Sequence, residues 1–185
     1  MRAAVFLDRD GTVNVDTGFV RRARDVRLIP GAARAIARLN AAAVPVVIVT
    51  NQSGLGRGIL RAEDYAAVRD RIAELLREEG KGAQVDATYE CPHDPRVGPC
   101  ACRKPGTSLF ARAARDLGLA LDRSWYVGDR WRDVAPFLEL GGEGILVPGA
   151  STPEDELRTA RERARVSDTL GEVVDTVLAS LAAVR

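Results

Sequence analysis

The sequence predicts an α/β fold, a doubly wound parallel sheet, for three reasons. Short apolar, β-branched runs alternate along the chain with stretches of helical period, the order that winds strands and crossover helices into one sheet. No internal repeat or low-complexity linker interrupts the alternation, and 185 residues suffice for one well-buried domain, so a single domain over residues 1–185 is expected. The strand runs end in polar or acidic residues, and the carboxyl ends of strands are where open α/β sheets bind ligands.

Taken in order, Ala3–Leu7 reads as the first buried strand. Pro30-Gly31 opens a helix through about Asn40, and Val44–Val49 is a second strand. Ala62–Glu79 is an amphipathic helix with Tyr65, Val68, Ile72, Leu75 and Leu76 on one face. Asp86–Glu90 is a short strand. Ser108–Leu117 is a helix that Gly118 can close. Ser124–Val127 is a strand, Asp133–Leu140 a helix and Gly144–Val147 a strand. The tail, 153–185, holds two helical stretches around Arg165–Ser167, which read as a last edge strand.

Composition excludes several classes. The net charge is +1 and aromatics are 5%, too little for a basic groove with stacking rings that would hold nucleic acid. No segment reaches the roughly 20 apolar residues of a membrane span. The first strand begins at once and leaves no room for a signal peptide, so a cytoplasmic protein is expected, and a monomer.

Asp8-x-Asp10-Gly11-Thr12 ends the first strand. Two carboxylates there are too costly to bury unpaired, and a cation would hold them together. Asp8 could attack phosphorus as a nucleophile while Asp10 moves a proton. An acidic, Asx-capped turn fits this motif about as well when it is taken alone. Thr50-Asn51-Gln52-Ser53-Gly54 ends the second strand with donors suited to phosphoryl oxygens, although alone it reads better as a helix-capping turn. Arg103-Lys104-Pro105 offers an ammonium and a guanidinium for phosphate charge; its plain reading is a solvated basic pair. Gly128-Asp129-x-x-x-Asp133 adds carboxylates. Magnesium keeps several waters, so Asp8, Asp129 and the carbonyl of Asp10 would suffice to hold it, with Asp133 ordering the loop or the metal waters.

Cys91, His93, Cys100 and Cys102 are all the cysteines and histidines of the chain, and they share one loop, 91–102. Cys₃His is a normal structural zinc sphere, and four protein ligands leave no open position for catalysis.

The motifs DRDGT, VVIVTNQSG, RKP and GDxxxD, in this order, resemble the haloacid dehalogenase (HAD) superfamily of phosphatases. The CPHxP…CxCRKP loop is similar to that of the D-glycero-D-manno-heptose 1,7-bisphosphate phosphatases and the related histidinol-phosphate phosphatases. The resemblance spans about residues 3 to 148. It implies a Rossmann-like core, a magnesium-dependent phosphomonoesterase and an aspartyl-phosphate on Asp8, with Asp10 as acid/base. Thr50 and Lys104 would steady the phosphoryl group, Asp129 would hold magnesium, and Arg103 would recognise a small phosphorylated sugar. Asn51, Gln52, Ser53, Asp16, Gly18, Phe19 and Arg130 join the implied substrate site. Many relatives read Asp-His-Gly-Tyr where this chain has Asp16-Thr17-Gly18-Phe19, and many carry lysine at Arg130. The intervals before and after Thr50 are too short for a cap domain, so the two loops must shape the pocket. Arg57, Arg103 and Arg21 or Arg22 would suit a second phosphate, which favours a heptose bisphosphate over histidinol phosphate. A polynucleotide 3′-phosphatase shares parts of the first two motifs and is the remaining alternative.

Overall fold

The computed structural model describes residues 1–183, so the final two residues of the expected tail lie outside the described residues. Six parallel strands are ordered β3-β2-β1-β4-β5-β6. They are β1 (Val5–Leu7), β2 (Val46–Asn51), β3 (Ala87–Cys91), β4 (Trp125–Gly128), β5 (Glu143–Leu146) and β6 (Arg165–Val166). The chain winds outward from β1 through β2 to β3, then restarts on the other side at β4. The reversal between β1 and β4 is a topological switch point, where a crevice opens at the strand ends.

The helices are α1 (Ala32–Ala41), α2 (Ser53–Gly56), α3 (Ala62–Glu79), α4 (Ser108–Leu117), α5 (Trp131–Val134), α6 (Phe137–Leu140), α7 (Glu154–Arg163) and α8 (Leu170–Ala183). Strand side chains alternate between two cores because successive residues point to opposite faces. Val5, Leu7, Val46, Ile48, Trp125 and Val127 join Ile36, Leu39, Val68, Ile72, Leu76 and Val174 on the α1–α3–α8 side. Phe6, Val47, Val49 and Tyr126 join Leu109, Phe110 and Ala113 of α4 on the other. There Phe6, Phe110 and Tyr126 form a triangle of rings with centroids 5.3–5.4 Å apart. Buried area of this kind is the main favourable contribution to folding, at about 25 cal/mol per Å².

The α3 and α4 helices match the expected limits, and the strands shift by one or two residues. The helix expected over Asp133–Leu140 is instead two short ones, α5 and α6. Pro136 stands between them, and proline has no N–H to continue the ladder. The polar stretch after β2 contains the unexpected short helix α2. Between β1 and α1 lies a loop with one 3₁₀ turn, Ala23–Asp25, and no cap domain. Among the described residues no helix is long and apolar enough to cross a membrane.

Candidate active site

Parallel pairing brings the ends of β1 and β4 side by side. The register Leu7↔Val127 places Asp8 beside Gly128-Asp129, and the Asp8 N–H donates to the Val127 carbonyl at 2.8 Å. Carboxylate oxygens of Asp8, Asp129 and Asp133 lie within 4.8 Å of one another, and all three residues are buried. Lys104 enters from the loop after β3. Its Nζ stands 2.6 Å from Asp8 Oδ1 and 2.8 Å from Asp133 Oδ1, and it donates to the Val49 carbonyl. Three acids against one lysine leave a buried excess of negative charge, which a cation would compensate. Burial, then Asp133, pushes Asp8 up to about 7. Burial and Asp133 likewise raise Asp129 to about 6. Burial opposes the charge on Lys104, but Asp133 and Asp8 outweigh it and raise its pKa.

Two glycines make the cluster possible. Gly11 has φ +93°, and a Cβ there would lie 2.5 Å from Asp129 Oδ2. A Cβ on Gly128 would overlap the Asp133 side chain. The donors fit magnesium. All are hard oxygens, and Asp129 Oδ1 is buried without a hydrogen-bond partner. The Asp10 carbonyl accepts no hydrogen bond among the described residues, so it can complete the set. The surprise is Asp133, which belongs to the carboxylate cluster itself.

The Asp10 side chain points elsewhere. It accepts from Arg9 Nε and Nη2, the latter 2.7 Å from Oδ2, from Asn14 Nδ2 at 2.9 Å and from Gln52 Nε2 at 2.7 Å. Gln52 Nε2 also donates to Thr50 Oγ1 at 2.9 Å, so the buried Thr50 hydroxyl keeps its own hydrogen to donate.

Several residues expected at the substrate are committed to protein partners. Asn51 clamps the Lys104 backbone through both amide atoms, at 3.0 and 3.2 Å. Gln52 is occupied as above. The Arg130 guanidinium forks on Glu156 of α7, with Nε 2.9 Å from Oε2, while Glu156 also accepts from the Trp131 N–H at 2.7 Å. These three brace the site through the polar atoms named. Ser53 starts α2 with its hydroxyl unengaged among the described residues. The exposed Asp16 caps the N–H of Gly18 at 2.8 Å, and Phe19 lies under the Arg57 guanidinium, 5.4 Å from ring centroid to carbon. The same ring packs on Gly54, so the Asp16–Phe19 loop and the TNQSG turn form one wall. Arg103 Nη1 is buried without a partner among the described residues, which suits an anionic ligand.

Cys91, His93, Cys100 and Cys102 place one donor each within 4.8 Å of one another. Cys91 Sγ is 3.7 Å from Cys100 Sγ and 3.6 Å from His93 Nδ1. These match the edge of a tetrahedron with metal–sulfur bonds of about 2.3 Å. Three further edges, His93–Cys102, His93–Cys100 and Cys100–Cys102, are 2.9–3.1 Å. No disulfide forms, and a hydrogen bond from Cys102 lowers Cys100 to about 6, close to thiolate. The donors fit zinc. The Gly56 N–H donates to the Pro92 carbonyl, and the Gln52 N–H to Cys91, which ties this loop to the turn after β2. Arg103 and Lys104 follow the last cysteine directly, so the cluster fixes where they emerge.

Five contributors carried no sequence signal of their own. Arg9 and Asn14 hold Asp10. Thr152 donates to the Asp129 carbonyl at 2.7 Å, and Ser151 lies 3.5 Å from Asp129 Oδ2. Glu156 holds Arg130.

Comparison with known proteins agrees with this geometry. A HAD-hydrolase-like family matches residues 101–173. A D-glycero-beta-D-manno-heptose-1,7-bisphosphate 7-phosphatase of Mesorhizobium japonicum is 41% identical over 92% of this chain and 82% of its own. A D-glycero-D-manno-heptose-1,7-bisphosphate 7-phosphatase of Thermosynechococcus vestitus is 36% identical over 98% of both. The crystal structure of D,D-heptose 1,7-bisphosphate phosphatase from B. bronchiseptica, complexed with magnesium and phosphate, superposes with a TM-score of 0.85. It is 36% identical over 97% of this chain and 99% of that one. With strand order, acidic cluster and overall sequence all in agreement, the chain belongs to the D-glycero-D-manno-heptose-1,7-bisphosphate 7-phosphatase family of HAD-like phosphatases.

Proposed function

We propose that the protein hydrolyses the C7 phosphate of a D-glycero-D-manno-heptose 1,7-bisphosphate. The observation that carries this reading is the buried Asp8 held by Lys104 beside Asp129 and Asp133. Asp8 Oδ1 is taken by Lys104, whereas Oδ2 accepts no hydrogen bond among the described residues, so Oδ2 is the attacking oxygen. It forms a bond to phosphorus as the bond to the sugar oxygen breaks, and Asp10 supplies the proton to that oxygen, for which its side chain turns out of the Arg9 fork. Asp10 then takes a proton from water. The water oxygen attacks the aspartyl-phosphate, releases inorganic phosphate and restores Asp8. The Thr50 hydroxyl meets the phosphoryl oxygens, and the Lys104 ammonium, whose N–H groups point at Asp8, Asp133 and the Val49 carbonyl, steadies them by its positive charge. Magnesium, held by Asp8, Asp129 and the Asp10 carbonyl with Asp133 beside them, would supply positive charge against the transferring group.

Arg103, with Arg57 propped on Phe19, takes the second phosphate, and Asp16, Gly18 and Ser53 meet the sugar. The Cys91, His93, Cys100 and Cys102 site holds structural zinc. The whole chain acts as one domain, as a monomer and in the cytoplasm. Phosphate release from heptose 1,7-bisphosphate and from histidinol phosphate, each with magnesium, tests the assignment. The bisphosphate should be preferred, and a clear preference for histidinol phosphate would overturn the substrate while leaving the chemistry of Asp8 in place.

A further inference from the structure

Arg9 lies between the two motif aspartates and is only 2% exposed, yet it is incompletely partnered. Its Nε and Nη2 fork on Asp10, while Nη1 is buried and makes no hydrogen bond among the described residues. Nε and Nη2 share one edge of the planar guanidinium, so Nη1 faces away from Asp10. Tyr65 covers the guanidinium, with its ring centroid 5.4 Å away. A buried cationic N–H without an acceptor is costly and calls for an explanation.

Arg9 also lines a groove of about 440 Å³ between α3 and the β2–β3 edge of the sheet. Ile72 and Leu76 of α3 face Ile48 of β2 across it, and Thr88 of β3 adds a hydroxyl. Arg69 and Arg77 stand on its α3 flank. Arg69 pairs with Asp70, whereas Arg77 makes no ion pair among the described residues. The groove therefore has apolar walls, a buried cation in its lining and a free cation at its rim. It contains none of Asp8, Thr50, Lys104 or Asp129.

We propose that this groove binds a small organic carboxylate with an apolar body. The carboxylate accepts from Arg9 Nη1, with Thr88 on the same lining, and the body lies along Ala73, Val85 and Ala87, the half-buried apolar residues of the groove. Arg9 then serves two anions at once, the ligand on one edge and Asp10 on the other. A second anion on the same guanidinium weakens its hold on Asp10, so occupancy alters kcat. That coupling rests on Asp10 being the acid/base; the binding does not.

The test is calorimetric titration of the magnesium-loaded protein with phenylacetate and with phenylacetamide, in saturating inorganic phosphate to fill the active site. Phenylacetate should saturate one site, and the uncharged amide should bind about tenfold more weakly for want of a charge-assisted hydrogen bond. Ala73→Trp, which fills the groove from α3, and Arg77→Glu, at its exposed rim, should both weaken phenylacetate while phosphatase turnover without it is kept. Displacement of phenylacetate by phosphate would overturn the site. So would equal binding of the amide, or wild-type affinity in both variants. Normal binding with kcat unmoved would overturn the link to Asp10 and leave the phosphatase assignment standing.

Discussion

Lys104 Nζ stands 2.6 Å from Asp8 and 2.8 Å from Asp133, so one buried ammonium joins the first motif of the chain to the last. It offsets part of the carboxylate charge and leaves Asp8 Oδ2 open. Lys104→Met should lower kcat by about 10²–10³, as loss of one preorganised electrostatic contact does. It should also destabilise the magnesium-free protein, since removing one partner of a buried pair costs about 3–5 kcal/mol. Phosphate release and thermal melts check the two effects separately.

Asp8→Asn keeps the size of the side chain and removes the proposed nucleophile. Turnover should vanish while the melt in magnesium-free buffer is unchanged or higher, because one buried negative charge has gone. Hydrolysis at the original rate would exclude Asp8 as the nucleophile.

The acidic cluster sets a pH dependence. Burial raises Asp8 from 3.8 to about 7 and Asp129 from 3.8 to about 6. A carboxyl whose folded pKa lies above its unfolded one holds its proton more tightly when folded. These two groups therefore cost stability progressively as pH rises from about 4 to about 7, and the cost is complete above that. Magnesium binds the ionised forms and should remove it. The rise in Tm on adding magnesium should be small at about pH 5.5 and large at about pH 8. An equal rise at both would refute the protonation scheme.

The Cys91, His93, Cys100 and Cys102 cluster should carry near one zinc per chain. Cys100→Ser should lose the metal and soften the loop. Because Arg103 and Lys104 follow Cys102 directly, turnover should fall with zinc content although none of the four donors belongs to the Asp8–Asp129–Asp133 cluster. Metal analysis alongside turnover tests this.

Thr152 has a quieter task. Its hydroxyl donates to the Asp129 carbonyl at 2.7 Å and accepts from the Gly149 N–H at 2.9 Å. Thr152→Val should weaken magnesium by about tenfold, the lower end for loss of a group that orients a metal ligand. Calorimetric titration with magnesium alone gives the affinity directly.

Much of this site could be read from residues in order. Asp8, Thr50, Lys104 and Asp129 stand at or just past strand ends, and strands declare themselves by apolar runs. The Cys91, His93, Cys100 and Cys102 cluster was legible because its four donors share one short loop. The directions of side chains were not. Nothing in the motif DRDGT says that Arg9 folds back on Asp10, or that Arg130 turns toward Glu156. Such pairings depend on which polar groups meet after the helices pack, and residues far apart in the chain decide that. The break at Pro136 was readable in principle, since a proline inside a helical pattern marks a stop.

The contacts of Thr152 and Glu156 bear on how the protein is made. Asp129 and Arg130 leave the ribosome well before the residues that hold them. A nascent chain, or one cut before α7, can carry every motif aspartate and still lack the support that holds Asp129 and Arg130 in place. Full support of Asp129 and Arg130 is thus deferred until residues 152–163 have been synthesised and α7 has docked.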